Sequence, residues 1–258
     1  MEIKGVLRTA IVVFAMLLVG CGSPNSSFAK RTEVIDHSGW TTLLKRHVQK
    51  DGLVDYRGFI KDQAALNAYT DLLSDNPPAD SWSDSDKIAY WINAYNAFTV
   101  KLIVDNYPVK SIKDLNPALS IPTVRSIWTK EWFQIGGEDF SLDQIEHKIL
   151  RKEFNEPRIH FAVNCASISC PVLRAEAYIG DKLNEQLTEQ TRIFLADETR
   201  NKIDSTSVMV SKIFSWFGGD FKKDQSLIEF LNKYAPKQID EDAKVRFMSY
   251  DWNLNDIE

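Results

Sequence analysis

Cysteine and histidine are scarce in this chain, with three cysteines and four histidines among 258 residues. Zinc ribbons and fingers need two pairs of ligands at short spacing. Here only Cys165 and Cys170 lie near each other, and no second pair follows. The spacing therefore predicts no metal, a three-dimensional Cys165/Cys170/histidine site being the one arrangement it allows, and it predicts no cofactor. None of the glycines forms a phosphate-cradling loop. No basic stripe is present either: the net charge is -5 with both signs interleaved, which excludes the electrostatics of nucleic-acid binding. Internal repeats are absent, and the apolar run Thr9 to Val19 is shorter than the ~20 residues that span a bilayer.

That short run has a different meaning. Lys4 and Arg8 make a basic start, and "LVGC" closes the run with a branched apolar residue, a small residue and a thiol. Residues 1–20 thus read as a lipoprotein signal peptide and Cys21 as the residue that receives lipid, an ordinary secretory signal or uncleaved anchor being the alternative. The acyl chains would hold the protein to a membrane, each buried methylene contributing ~0.8 kcal/mol. Gly22 rather than aspartate follows Cys21, which favours the outer membrane, facing the periplasm, in a cell with two membranes. Residues 21–32 read as a flexible tether.

Residues 33–258 have no Pro/Gly/Ser-rich break and are expected to form one globular domain. Seven tryptophans and fourteen phenylalanines supply its core. Helices are predicted over Trp40–Gln49 and Ala64–Leu73, with a turn and a short extended piece in "DGLVDYRGF" between them. "DSDKIAYWINAYNAFTVKLIVDNYP" is the strongest helix, apolar almost all round from Ile88 to Val104 and so buried on more than one side. "EWFQIGGEDF" reads as a strand and a Gly-Gly turn, and a Ser141/Gln144 capping box starts the next helix near Leu142. "PRIHFAVN" alternates like a strand, Asp181–Asp197 like an amphipathic helix carrying Leu183, Leu187, Ile193, Phe194 and Leu195. "TSVMVS", the aromatic "KIFSWFGGDF", a helix over Ser226–Tyr234 and a strand "KVRFMSYDW" follow. The fold class is α+β, with more helix than strand and a small sheet flanked by helices.

Polar residues on core-facing surfaces are the candidate site. Asn93 and Asn96 share one face of the buried helix, where they either fasten a neighbouring loop or line a site. Glu146 falls inside the apolar arc of Leu142, Ile145, Ile149, Leu150 and Phe154, with His147 at its edge. An acid facing the core needs a partner, and a structural Glu-His pair is the alternative to a functional one. In "IHFAVNCASISCP", Cys165 and Cys170 support two readings. A disulfide would close a short loop and stabilise by only ~2 kcal/mol. A nucleophilic thiol, whose ordinary pKa of ~8.5 leaves it mostly protonated, needs a histidine or a helix N-terminus beside it. On a strand, His160 and Cys165 would face opposite ways, so His147 is the expected base. Thiol–disulfide exchange is a third reading, without the C-x-x-C spacing that usually serves it.

"YWINAYNA", "IEHKILR", "EPRIHFAVNCASISCP" and "SWFGGDF" together resemble the uncharacterised bacterial and plant family catalogued as domain of unknown function 547, over about residues 86–221. The resemblance implies that Asn93, Tyr95 and Asn96, Glu146 and His147, and Arg158, Cys165 and Pro171 match the family pattern. It also implies that the position of Cys170 is often serine or aspartate in plant members while that of Cys165 stays cysteine, so a disulfide is not what the family needs. No settled reaction comes with it. The expected function is a lipid-anchored envelope protein with thiol-dependent acyl or amide hydrolysis or transfer, Cys165 and His147 acting with Glu146 and Asn93, and Asn96, Arg158 and His160 in support. The alternative is a non-catalytic envelope module with a Cys165–Cys170 disulfide and an unidentified envelope partner.

Overall fold

The computed structural model describes residues 33–119, 121 and 125–257. The signal, lipidation and tether expectations on residues 1–32 lie outside them. No helix among the described residues is long and apolar enough to cross a membrane.

Helix α1 (Ser38–His47) packs on α2 (Tyr56–Lys61) and α3 (Gln63–Asp75), and those two pack on α4 (Asp84–Asn106). Ser83 caps α4 by accepting from Asp86 N–H, Asp84 and Asp86 sit at its positive end, and the chain turns extended at Tyr107 before Pro108. Every residue from 88 to 100 in α4 is buried, so neighbours enclose it on all sides. The predicted extended piece after Asp51 is shorter than expected. The side chain of Asp55 accepts from Gly58 N–H at 2.7 Å, and this cap starts α2 immediately.

Strands β1 (Phe133–Ile135) and β2 (Glu138–Phe140) form a hairpin closed by Gly136 and Gly137, both at positive φ as a two-residue turn of this hand requires. The capping box follows as expected: Gln144 N–H donates to Ser141 Oγ, and Ser141 N–H to Gln144 Oε1. The helix it starts then widens to π-type turns over Gln144–Leu150, with Arg151 N–H bonding Glu146 C=O.

The segment expected as a strand, Pro157 to Asn164, is instead a 3-10 turn over Pro157–Phe161. Pro157 lies at its first position, and Glu156 accepts from Arg158 N–H to cap it. The alternating pattern arises because the turn runs between two apolar clusters. Ile159, Ala162 and Val163 pack with the α4 cluster, whereas Phe161 belongs to a second cluster with Phe194, Val208, Phe214, Phe221 and Phe230.

That second cluster is built by α5 (Leu183–Ala196), β3 (Lys202–Ile203), β4 (Ser207–Val210), α6 (Ile213–Trp216), α7 (Gly218–Phe221), α8 (Leu227–Asn232) and β5 (Lys244–Phe247). Strand β4 is central, antiparallel to β3 and parallel to β5. Val208 and Val210 point inward and Met209 outward. One apolar residue of α5 departs from expectation, since Ile193 faces solvent. The architecture is α+β with more helix than strand, small sheets flanked by helices in one globular chain.

Candidate functional site

A cavity of about 560 Å³ opens where the two clusters meet. Tyr95 and Val163 line it from the α4 side, Ile213 and Phe217 from the other, and Glu146, His147, His160, Cys165 and Cys170 all reach it. The end of the thiol segment therefore meets the Glu146/His147 helix. Because Pro157–Asn164 is not a strand, His160 and Cys165 share this cavity instead of facing apart.

The thiol loop is tightly held. Asn164 accepts from Ala166 N–H and donates to Pro171 C=O, both at 2.8 Å, which lets Ala166 sit in the left-handed region at φ 59°. Arg200 donates to the carbonyls of Cys170 and Ile168 at 2.7 and 2.6 Å. The C-terminal stretch docks on the loop through Ile168 N–H to Asn253 C=O and Ser169 N–H to Asp251 C=O. That docking delivers Tyr250 and Trp252 to the cavity mouth, where Trp252 meets Trp128 and Trp216 and carries Lys113 Nζ 3.8 Å above its ring.

Cys165 and Cys170 are free, with sulfurs 2.6 Å apart. Tyr250 OH lies 3.2 Å from Cys170 Sγ and 3.5 Å from Cys165 Sγ, and Cys165 N–H donates to Cys170 Sγ at 3.0 Å. Burial pushes the Cys170 thiol up, but hydrogen bonds from Cys165, Ser167, Tyr250 and the Cys165 N–H outweigh it and bring it down to about 6. The hydrogen bond to Cys170 and burial push Cys165 the other way. Of the two, Cys170 is thus the more acidic and Cys165 the one that holds its proton more tightly. Cys165 is the more exposed sulfur, Cys170 being 3% exposed.

Beyond the sulfurs, Glu146 is buried and Tyr95, 1% exposed, hydrogen-bonds to it. Burial first, then the Glu146 charge and the two thiols, raise the Tyr95 phenol well above its ordinary value, so it stays protonated. His160 Nδ1 lies 3.8 Å from Glu146 Oε1, and His160 Nε2 donates to Asp220 Oδ2 at 2.8 Å. Burial lowers the His160 imidazole below its ordinary value despite both carboxylates. His147 is at the edge, its Nδ1 accepting from Arg151 Nη1 at 2.8 Å and its Nε2 3.7 Å from Asp143.

Other expected site residues lie elsewhere. Asn93 donates to Tyr178 C=O at 2.8 Å and accepts from Tyr178 N–H at 3.0 Å, and it does not line the cavity, so a direct catalytic part for it gives way to a fastening one. Asn96 fastens the thiol segment itself through Ala162 C=O and Asn164 N–H. Arg158 binds Glu156, Asn184 and Thr188, clamping the 3-10 turn to α5 outside the cavity. Asp220, Arg151, Tyr250 and the tryptophans join the site through contacts that no local sequence pattern marks. "SWFGGDF" was the one signal that could have found Asp220. No group of three or more His, Cys, Asp or Glu among the described residues is arranged to hold a metal.

Fold and cavity together define an α+β protein with a dithiol and a buried carboxylate–imidazole pair in one apolar-walled site. A family model described as "Protein of unknown function, DUF547" matches residues 79–195, and the chain resembles that family there. The match takes in α4, the π-type helix and the thiol loop. It ends before "SWFGGDF" and Tyr250, short of the expected boundary near 221. No curated protein and no solved structure matches the chain.

Proposed function

We propose that this is a lipid-anchored protein of the cell envelope, held through Cys21 at the outer membrane and facing the periplasm, whose cavity performs thiol-dependent acyl or amide hydrolysis or transfer. The lipoprotein pattern of residues 1–21 supports the location. The observation that carries the chemistry is the gathering of Cys165, Glu146, His147 and His160 around one cavity.

In this reading the neighbouring sulfur, rather than an imidazole, serves as the base, Cys170 Sγ taking the Cys165 proton as Cys165 attacks. Cys165 Sγ attacks the acyl carbon and forms a thioester while the amine or alcohol leaves with the proton that Cys170 took, which returns Cys170 to its starting state. Water or an acceptor amine then attacks the thioester, gives its proton to His160 Nδ1 beside Glu146, and that proton passes to the departing Cys165 sulfur to release the thiol. His147 at the edge is less suited as base than expected, because Arg151 occupies its Nδ1. Aromatic walls suit an apolar acyl group.

The test is a burst of p-nitrophenol from p-nitrophenyl acetate by the reduced protein, with acetyl trapped on Cys165 by mass spectrometry. The reading fails if Cys165 is alkylated no faster than a free thiol at pH 7 and Cys165→Ala retains the burst. The sulfur separation favours a second reading, a non-catalytic module with a Cys165–Cys170 disulfide. Intact mass separates the two, since that module loses two hydrogens relative to its reduced form.

A further inference from the structure

We infer that Asp220 is a positioning residue that fixes the orientation and tautomer of His160, so that Nδ1 presents its lone pair toward Glu146 and the cavity. This rests on the reading of His160 as a proton-handling group in thiol-dependent acyl chemistry, and it adds a residue that neither the family match nor the motif reading assigns.

The geometry is specific. Asp220 on α7 accepts from Arg151 Nε at 2.6 Å and Nη2 at 3.0 Å as well as from His160 Nε2 at 2.8 Å. Burial opposes its charge, yet the His160 and Arg151 hydrogen bonds hold its carboxyl well below the usual carboxylate range. An ionised carboxylate only accepts hydrogen bonds, so the neutral ring facing it must carry its proton on Nε2. Nδ1 is then the acceptor. It is buried, it has no hydrogen-bond partner, and Glu146 Oε1 stands 3.8 Å away. Phe217 stacks on the imidazole at 4.0 Å between centroids and Phe221 closes in at 5.4 Å, which removes other ring orientations. The charged groups facing His160 are Asp220 and Glu146, which favour its protonation, and Arg151, which opposes it.

The alternative role for Asp220 is purely structural, as the partner of Arg151 between α7 and the π-type helix. Imidazole NMR separates them. In full-length protein labelled with 15N-histidine, long-range 1H–15N correlation should give His160 as a single Nε2–H tautomer at neutral pH. Asp220→Asn removes the charge and offers an amide that also donates, so the spectrum should change to mixed tautomers, with titration at lower pH. Asp220→Glu should restore the native tautomer. Arg151→Gln, which keeps Asp220, should move the titration to higher pH, opposite in sign, and it serves where Asp220→Asn fails to fold. An unchanged tautomer and titration in Asp220→Asn, or no upward movement in Arg151→Gln, overturns the inference. No substrate enters this measurement, so it stands or falls separately from the p-nitrophenyl acetate burst and Cys165 trapping.

Discussion

Two regions bury polar side chains side by side and use them in opposite ways. On α4, Asn93 and Asn96 each bond one backbone carbonyl and one backbone N–H, so oxygen and nitrogen are both engaged with main chain. Around the cavity, Glu146 faces His160, which Asp220 holds from behind, the two thiols pair with each other, and one imidazole nitrogen has no partner. Neutral amides saturated by backbone fix a shape. Titratable groups paired with each other, and incompletely, can exchange protons.

The comparison breaks most decisively at Cys165. Cys165→Ala should abolish acyl trapping and any burst with p-nitrophenyl acetate while leaving the thermal midpoint within a few degrees. His37 extends the comparison to an imidazole outside the cavity. It is 4% exposed, bonded to the Tyr69 hydroxyl at 2.7 Å, and burial lowers its pKa to about 4. Unfolded histidine titrates near 6.5, so between those values the unfolded chain binds a proton that the folded one does not. Stability is therefore fully present above about pH 6.5 and falls by roughly 3 kcal/mol as pH drops toward 4. Urea melts across that range should show the slope, and His37→Gln should flatten it.

Asn93→Ala leaves the Tyr178 N–H and C=O without partners and should cost about 2 kcal/mol, read by urea denaturation, with Cys165 alkylation in the folded protein unchanged. A change in thiol reactivity without loss of stability would move Asn93 back into the site. Glu146→Gln keeps the shape and removes the charge. It should slow acyl turnover about tenfold or more, in line with a general acid–base role, and shift stability by less than Asn93→Ala does. Arg158→Ala, which loosens only the clamp to α5, should cost about 1 kcal/mol in a urea melt and leave alkylation rates alone.

How much of this was legible in the sequence follows from the range of each contact. Helix periodicity placed Asn93, Asn96 and Glu146 on core-facing surfaces because i, i+3 and i+4 geometry is local, and the Ser141/Gln144 box was legible for the same reason. The partners were not. His160 meets Asp220 across 60 residues, and Cys170 meets Tyr250 across 80, and no periodicity reports such pairings. Pro157 to Asn164 carries a strand's pattern without being one, because a turn buried on two sides alternates like a strand buried on one. A strand there would turn His160 away from Cys165 and leave His147 as the nearer base, whereas the 3-10 turn brings His160 to the cavity.

The position of the cavity at the seam between the two apolar clusters makes the protein a ready reporter of its own ligand. Any compound that fills it contacts Tyr95 and Val163 on one side and Ile213 and Phe217 on the other, so unfolding either cluster exposes that compound to water. Binding then adds about 2.7 kcal/mol of stability to the whole chain at a hundredfold excess of ligand over Kd, and the melting temperature rises with it. A thermal-shift screen of small apolar compounds can thus find what the cavity binds before any turnover is measured.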